Sequence, residues 1–449
     1  IQWGSQIHCR LATIVPNVSQ VDNSSNFLNN IPHRKHPGIL HLKCVTLPPE
    51  LVQAVSFWVA LLFFLPESPI RDMEKKSESF SNYLWSRKRP IELKDLRKKA
   101  QLLEQKLRKD AEKLKQKVLT AVRQTTYHWE ELKYTEELSF LYMVSRMDAN
   151  YAAVSRAFHE IQKRVPDFQP KTLLDFGSGT GAVSWAAHNI WGESLKEYMN
   201  IDCSVHMLSL AEKLMRGKMG RKMCRVFYFL RLRLSFSTKK MMFDLSVSAF
   251  SLNDLPTYAQ RIAKVKNLWK KTNNFLVLVE NGTKEGHQML MEARDVILKV
   301  SHVFSCPHHL PCPRMLLDNP LPCNFLQQYE PLPLSWNPSH KTERFSFLIL
   351  SRGSRKSMEP WPRITQPVLC RKRHIHVHLC CADGTLQHAI VTSKKHNRDL
   401  YRCVWNSNCG DRLPILTPNI ESILEDKLTL EDQINDSQKV NTAPYQDQN

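Results

Sequence analysis

The sequence predicts an α/β protein: a Rossmann-like, doubly wound sheet, preceded by a helical domain and followed by a small antiparallel β module. Three observations carry this. Thr172–Phe176 is apolar enough for a buried strand, and it runs into Gly177, Gly179 and Gly181 and then the helix-like Val183-Ser184-Trp185-Ala186-Ala187. A leucine and alanine stripe at helical spacing precedes this stretch, and a histidine run of period two follows it. The chain has 13 glycines in 449 residues, so three within five residues mark a local backbone requirement. Strand, Gly-rich turn and helix start form a ligand site in doubly wound folds: glycines let backbone approach the ligand, and the helix N-terminus offers free N–H groups.

Two cofactor classes suit that shape. Gly177-x-Gly179-x-x-Ala182 satisfies the dinucleotide fingerprint. Asp175-x-Gly177-x-Gly179-x-Gly181 resembles the first motif of the S-adenosylmethionine-dependent methyltransferases. The acid inside the strand end favours the second, because a carboxylate attracts a cationic cofactor and repels a pyrophosphate. Tyr198–Asp202 reads as the next strand, and Asp202 is placed to accept from ribose hydroxyls. The bland alternative is a Gly-rich turn without a ligand.

The length suits two or three domains with a large core. The formal net charge is +20 and the pI about 9.4, a balance that suits an anionic polymer partner. No stretch reaches the 18 or so apolar residues of a membrane span; Leu51–Leu65 is nearest and reads as a buried helix. Residues 1–21, with Asp22 the first acid, are compatible with a mitochondrial transit-peptide remnant. Residues 22–80 read as a polar, Pro-punctuated arm and a helix.

The helical domain spans 81–168. Leu93, Leu96, Ala100, Leu103, Leu107, Ala111, Leu114 and Val118 form one stripe of a long helix introduced by Arg87-Lys88-Arg89-Pro90. From Arg87 to Arg123 there are 14 Lys/Arg against 5 Asp/Glu. This face is either a solvated surface or one that also meets nucleic-acid phosphate. Residues 125–163 continue as helix, and Pro166 and Pro170 mark the boundary.

The α/β domain spans 169–355, with a Cys-rich insert at 303–330. Phe243–Phe250, Phe275–Glu280 and a late Phe345–Leu350 are its further strands; Arg231–Leu234 is a weaker candidate in the irregular 217–240. The β module spans 356–417. His374, His376, His378 and Cys380 share one strand face, Ala382–Thr385 turns, Leu386–Thr392 returns, and Leu400–Trp405 makes a third strand. Beyond Pro418 come 7 acids, 2 lysines and few apolar anchors, so 418–449 is expected to be disordered.

Eight of twelve cysteines lie between Cys306 and Cys409. With such a cofactor fold, metal ligation is a better reading than a disulfide framework. Cys306, Cys312 and Cys323 sit among prolines, and soft thiolates on a stiff loop suit zinc or an iron–sulfur cluster. Cys380 is the preferred fourth ligand, since Cys381 faces the other way along the strand. The zinc alternative uses two or three thiolates with His308, His374 or His376. Unliganded cysteines in a Pro-rich insert are the plain alternative.

Thr125–Trp129, Ala153–Ile161, Asp175–Gly181, Val279–Thr283, Cys306-Pro307-His308, Trp361–Ile364 and His376–Cys381 together resemble the methyltransferase-like family of mitochondrial small-ribosomal-subunit assembly factors, from about Pro16 to Pro418. The resemblance implies a class I S-adenosylmethionine methyltransferase-like fold in a mitochondrial matrix protein. It implies binding to the maturing small ribosomal subunit through its rRNA, beside ribosomal proteins and other assembly factors. It also implies a 4Fe-4S cluster on Cys306, Cys312, Cys323 and Cys380. An S-adenosylmethionine-type pocket would be retained at Asp175, Gly177, Ser178, Gly179, Gly181 and Asp202, with methyl transfer lost or barely used. No membrane span and no homo-oligomer are implied.

The residues after Phe250 agree on catalysis. Ser251-Leu252-Asn253-Asp254-Leu255-Pro256 replaces the Asn/Asp-Pro-Pro-aromatic run that grips a target amine, and no cysteine stands there to attack a pyrimidine. Asn253 and Asp254 are polar groups for a pocket mouth, or Asp254 is a helix cap. No catalytic residue is therefore assigned. An active rRNA methyltransferase is the alternative function.

Overall fold

The computed structural model describes residues 13–15, 19–20, 36, 38–40, 42–63, 73–89, 91–107, 114–127, 129–216, 226–231, 241–298, 302–303, 312, 322–353, 361–381, 384–393 and 398–416. The chain divides into two compact units, residues 40–358 and residues 1–39 with 359–449. The first short strands, β1 (Thr13–Val15) and β2 (Ser19–Gln20), belong to the smaller unit.

In the larger unit α1 (Pro49–Phe63) buries Leu51, Val55 and Val59 on one face and leaves Phe57 and Leu61 exposed, an amphipathic helix. After α2 (Met73–Ser86), the basic stripe forms two helices, α3 (Leu93–Leu107) and α4 (Leu114–Thr125). The expected single long helix is corrected here. Lys99 Nζ donates to the Thr125 carbonyl at 2.6 Å, whereas one continuous helix would hold these residues about 39 Å apart. Residues 108–113 lie outside the described residues.

Residues 126–127 and 129–135 are not helical, so the continuous helix expected from 125 is also corrected. The helix α5 (Glu136–Arg164) begins where the Thr135 hydroxyl accepts from Leu138 N–H. It is buried on nearly every side from Met143 to Ile161, and Ala149, Ala152, Ala153 and Ala157 let neighbours approach closely. Two of its buried charged groups are paired: Arg146 reaches Glu343 at 2.7 Å, and Asp148 accepts from Leu332 N–H at 3.1 Å.

The sheet contains β3 (Thr172–Phe176), β4 (Glu197–Asp202), β5 (Val226–Arg231), β6 (Phe243–Ala249), β7 (Thr272–Asn281), β8 (His302–Val303), β9 (Phe325–Tyr329) and β10 (Lys341–Ser351). Their order is β5-β4-β3-β6-β7-β10-β8, with β9 also paired to β10. The first five are parallel, and β10 runs antiparallel to β7, β8 and β9. The expected late strand is therefore β10. Of Arg231–Leu234, Arg231 ends β5 and the rest lies outside the described residues.

Alternation along the strands builds two cores. Leu173, Tyr198, Leu245 and Val277 face α5 and α6 (Ala182–Trp191), where Phe158 meets Trp191 at 5.2 Å between ring centroids. Leu174, Met199, Leu276 and Leu278 face α8 (Tyr258–Lys270) and α9 (Lys284–Leu298). With α7 (Val205–Arg216) following β4, the strand order reverses between β3 and β6, and loops at their C-terminal ends form a crevice there.

In the smaller unit β13 (His374–Cys380) and β14 (Leu386–Thr392) form an antiparallel hairpin, with β11 (Arg363–Ile364) and β12 (Leu369–Cys370) on β13 and β1 parallel to β14. Ile375, Val377 and Leu379 point into the core, so the histidines share the other face; His378 stacks on His388 at 4.4 Å. Of the expected turn, Gly384 is left-handed and 382–383 lie outside the described residues. The third strand expected at Leu400–Trp405 is a helix, α10 (Arg398–Trp405). Leu400, Cys403 and Val404 are buried at spacings of three and four, which is helical. A further pair joins β15 (Ile415–Leu416) to β2. The acidic tail lies outside the described residues.

Candidate functional site

The crevice end of β3 carries the glycine turn. Gly177, Gly179 and Gly181 have φ of +71°, +49° and +86°, the left-handed region that side chains resist. The turn is pinned to β4: Gly177 and Ser178 N–H donate to the Ile201 carbonyl at 2.8 and 3.0 Å, and Gly179 N–H to Asp202 Oδ2 at 2.9 Å. Gly181 caps α6 without a side-chain hydrogen bond. Asp202 Oδ1 accepts from Ser204 N–H at 2.8 Å; burial raises its pKa against the pull of these amides. The loop residues and Asp202 thus come together.

Asp175 is completely buried, and neither carboxylate oxygen has a hydrogen-bond partner among the described residues. Burial, with Asp202 nearby, holds its pKa well above the usual carboxylate range. The Ser178 hydroxyl is likewise buried without a partner. A buried polar group without a partner is costly, so a cationic, hydrogen-bonding ligand suits this donor set. The residues fit an S-adenosylmethionine-type group on that ground.

Tyr142 lies 3.8 Å from where a Cβ on Gly179 would stand, and it meets Tyr134 edge to face at 5.6 Å. Beside them a cavity of about 30 Å³ is bounded by Arg87, Arg146, Phe250, Asn253, Asp254 and Glu280 among others, roughly room for one water. Asp254 pairs with Arg87 and does not cap a helix; Thr257 caps α8 by accepting from Gln260 N–H. Glu280 accepts from Leu252 N–H at 2.8 Å, and burial pushes its pKa up to about 8. Arg87, Tyr134, Arg146 and Glu280 were not named as site residues from the sequence. They come from four separate segments, and no local spacing joins them.

A second cluster gathers metal-ligating groups. The buried Cys312, the half-buried Cys323 and the buried His287 bring their ligand atoms within 4.8 Å of one another. Cys312 Sγ is 4.0 Å from His287 Nε2. The neighbouring Cys323 thiol, then burial, push the Cys312 thiol up. Two thiols and an imidazole fit a soft metal or a cluster. His287 sits in the first turn of α9, and nothing around it in the sequence resembles a ligand motif. Cys306 and His308 lie outside the described residues. Cys380 ends β13 in the smaller unit and is buried. His374 and His376 lie on β13, where His376 Nδ1 is 2.9 Å from His388 Nε2.

Fold and glycine turn define a class I methyltransferase-like α/β protein. Residues 136–414 match the family described as mitochondrial small ribosomal subunit Rsm22, and the chain belongs to this family. It is 52% identical to the human mitochondrial ribosome assembly protein METTL17, over 91% of each chain. A Schizosaccharomyces pombe protein, mitochondrial Rsm22-cox11 tandem protein 2, is 24% identical over 39% of this chain and 30% of its own. Among solved structures, the plantazolicin methyltransferase BpumL with S-adenosylhomocysteine and a monoazolic desmethylPZN analogue is 12% identical, covering 57% of this chain and 98% of its own, with a TM-score of 0.30. Among the described residues no helix is long and apolar enough to cross a membrane.

Proposed function

We propose that this protein is a matrix assembly factor of the mitochondrial small ribosomal subunit, required for mitochondrial translation, that binds immature small-subunit rRNA without transferring methyl groups. The observation that carries this is the 52% identity, along 91% of the chain, to a protein named for mitochondrial ribosome assembly. The net charge of +20 supports an RNA partner.

Asp175, Gly177, Ser178, Gly179, Gly181 and Asp202 would hold S-adenosylmethionine, a methyl donor when bound. The glycines would let the loop backbone approach it, the Asp175 carboxylate would meet its cationic end, and Asp202 has lone pairs left for ribose hydroxyls. What argues against turnover is the acceptor side. Asp254 is tied to Arg87, and Leu252–Asp254 forms a short 3-10 turn where an amine-gripping motif would stand. The glycine cradle itself favours the second reading, an active rRNA methyltransferase. A tritiated methyl-transfer assay on immature small-subunit rRNA separates the two: turnover that disappears on Asp202→Ala would establish the enzyme.

A 4Fe-4S cluster on Cys306, Cys312, Cys323 and Cys380 belongs to the same proposal, and the proximity of Cys312 and Cys323 supports it. Such a cluster would supply a covalent staple, coupling ligation to folding and ribosome binding to iron supply. Anaerobically purified protein is expected to be brown, with about four iron and four sulfide per chain. Stoichiometric zinc without sulfide, held by Cys312, Cys323 and His287, would overturn it. In depleted cells, a folded Gly177→Val/Gly179→Val variant that still binds the subunit is expected to restore assembly. Failure of that variant counts against the non-catalytic reading.

A further inference from the structure

Away from both sites, a thiol, a carboxylate and an imidazole converge at one end of β9 and β10. The ligand atoms of Cys44, Glu330 and His340 all lie within 4.8 Å of one another. Cys44 Sγ is 3.7 Å from His340 Nδ1. Cys44 is half-buried, and the other two are exposed.

Backbone pairing sets this convergence. Val45 bridges Tyr329 in parallel: Val45 N–H donates to the Gln328 carbonyl and Glu330 N–H to the Val45 carbonyl, each at 2.9 Å. On its other side Tyr329 pairs with Lys341. Cys44, Glu330 and His340 are the sequence neighbours of these three paired residues. Two stretches far apart in the chain, the one holding Cys44 and the hairpin connection holding Glu330 and His340, therefore bring three donors together at one end of the sheet. The connection from Glu330 to His340 is itself braced. Asn337 N–H donates to the Leu334 carbonyl at 2.9 Å, its side-chain amide donates to the Leu332 carbonyl at 2.8 Å, and Lys341 Nζ reaches its oxygen at 2.7 Å.

We propose that Cys44, Glu330 and His340 form a zinc site, with water as the fourth ligand. One sulfur, one nitrogen and one oxygen donor make the mixed set that Zn²⁺ accepts in tetrahedral geometry, whereas magnesium and calcium want oxygen alone. On binding, the Cys44 thiol proton leaves to solvent and a zinc–sulfur bond forms. The thiolate and the Glu330 carboxylate then balance the ion's charge. The ion staples residues 42–47, which lead into α1, onto the β9–β10 edge. Solvent exposure leaves the fourth position open.

The test uses the zinc-depleted full chain, titrated with zinc against a chromophoric chelator, beside Cys44→Ser, His340→Ala and Glu330→Gln. Circular dichroism confirms folding, which the exposed positions favour, and the near-isosteric Glu330→Gln covers the case in which Cys44→Ser fails. Cys44→Ser and His340→Ala are expected to lose one equivalent of zinc, with affinity at that site down at least a hundredfold; Glu330→Gln weakens it about tenfold, on the scale of ligand-shell changes. Cys312→Ser retains this equivalent. With Co²⁺, the difference between wild type and Cys44→Ser shows a thiolate charge-transfer band and the intense visible bands of a tetrahedral ion. Equal stoichiometry and affinity in wild type and Cys44→Ser would overturn the site, as would a difference spectrum without the thiolate band. Neither outcome touches the assembly reading, which is tested through iron, sulfide and subunit binding.

Discussion

At Asp175 a buried carboxylate without a partner among the described residues stands beside a turn of left-handed glycines, and its removal separates ligand binding from folding. Asp175→Asn keeps the shape and removes a charge that burial penalises. Its unfolding midpoint is expected at or above wild type, while S-adenosylmethionine binding by equilibrium dialysis weakens at least tenfold. A lower midpoint with unchanged binding would show that the carboxylate serves the fold. Glu280 offers a pH signature. Its pKa rises from 4.5 to about 8, burial being the largest cause. Between those values the native state holds a proton that the unfolded state has released, so stability falls as pH rises through the window. The slope approaches about 1.4 kcal/mol per pH unit for an isolated group. Glu280→Gln should lack that component, and denaturant titrations at pH 5 and 8 check it: parallel trends in both proteins would refute the assignment. These residues were unequally legible. Asp175 and the glycines announced themselves by spacing, because one short segment builds the whole turn. Glu280 looked like the end of an apolar strand, and its role depends on Leu252 and Asp254 folding back over it.

Among the elements, α5 shows what a helix needs when it is buried on nearly every side. Arg146 spans to Glu343 on β10 with bonds of 2.7 and 3.4 Å, and it also donates to Asn150 Oδ1 at 3.2 Å. Removing one partner leaves the other charge buried, so Arg146→Met is expected to cost about 3–5 kcal/mol. The double variant Arg146→Met/Glu343→Leu should recover most of that loss, read by urea unfolding; a double variant as unstable as the single would mean that packing, not the pair, fails. The sheet strands were legible because continuous apolar runs between glycine and proline punctuation leave few other readings. Two helical errors have physical causes. Leu400–Trp405 is too short for its period to be seen without knowing which side is buried. The α3–α4 stripe continues in phase from one helix to the next, so periodicity carries no sign that the chain has turned back and brought Lys99 to Thr125.

Over the whole molecule, net charge was readable from composition, but long-range grouping was not. Cys312 and Cys323 stood out as thiols in a Pro-rich insert, while His287 on α9 joins them only in the folded chain, its ligand atom within 4.8 Å of theirs. Surface charge is the property on which the RNA reading rests most directly. The exposed surface of α3 presents Arg97, Lys98 and Lys106 to solvent. If this face meets single-stranded or unpaired rRNA phosphate, each contact releases counterions, and log K falls against log salt with a slope of about −0.7 per phosphate. Replacing all three residues by alanine should reduce the magnitude of that slope by about two, and the weakening should be similar for unrelated RNA sequences. Thermal unfolding should scarcely move, since exposed substitutions lie within about 0.5 kcal/mol of neutral. Filter binding of an immature small-subunit rRNA fragment from low to moderate salt gives the slope directly. An unchanged slope would remove this face from the RNA contact and shift the electrostatic footprint to another part of the surface. A changed slope with sequence-dependent losses would mean that these side chains read bases rather than phosphates.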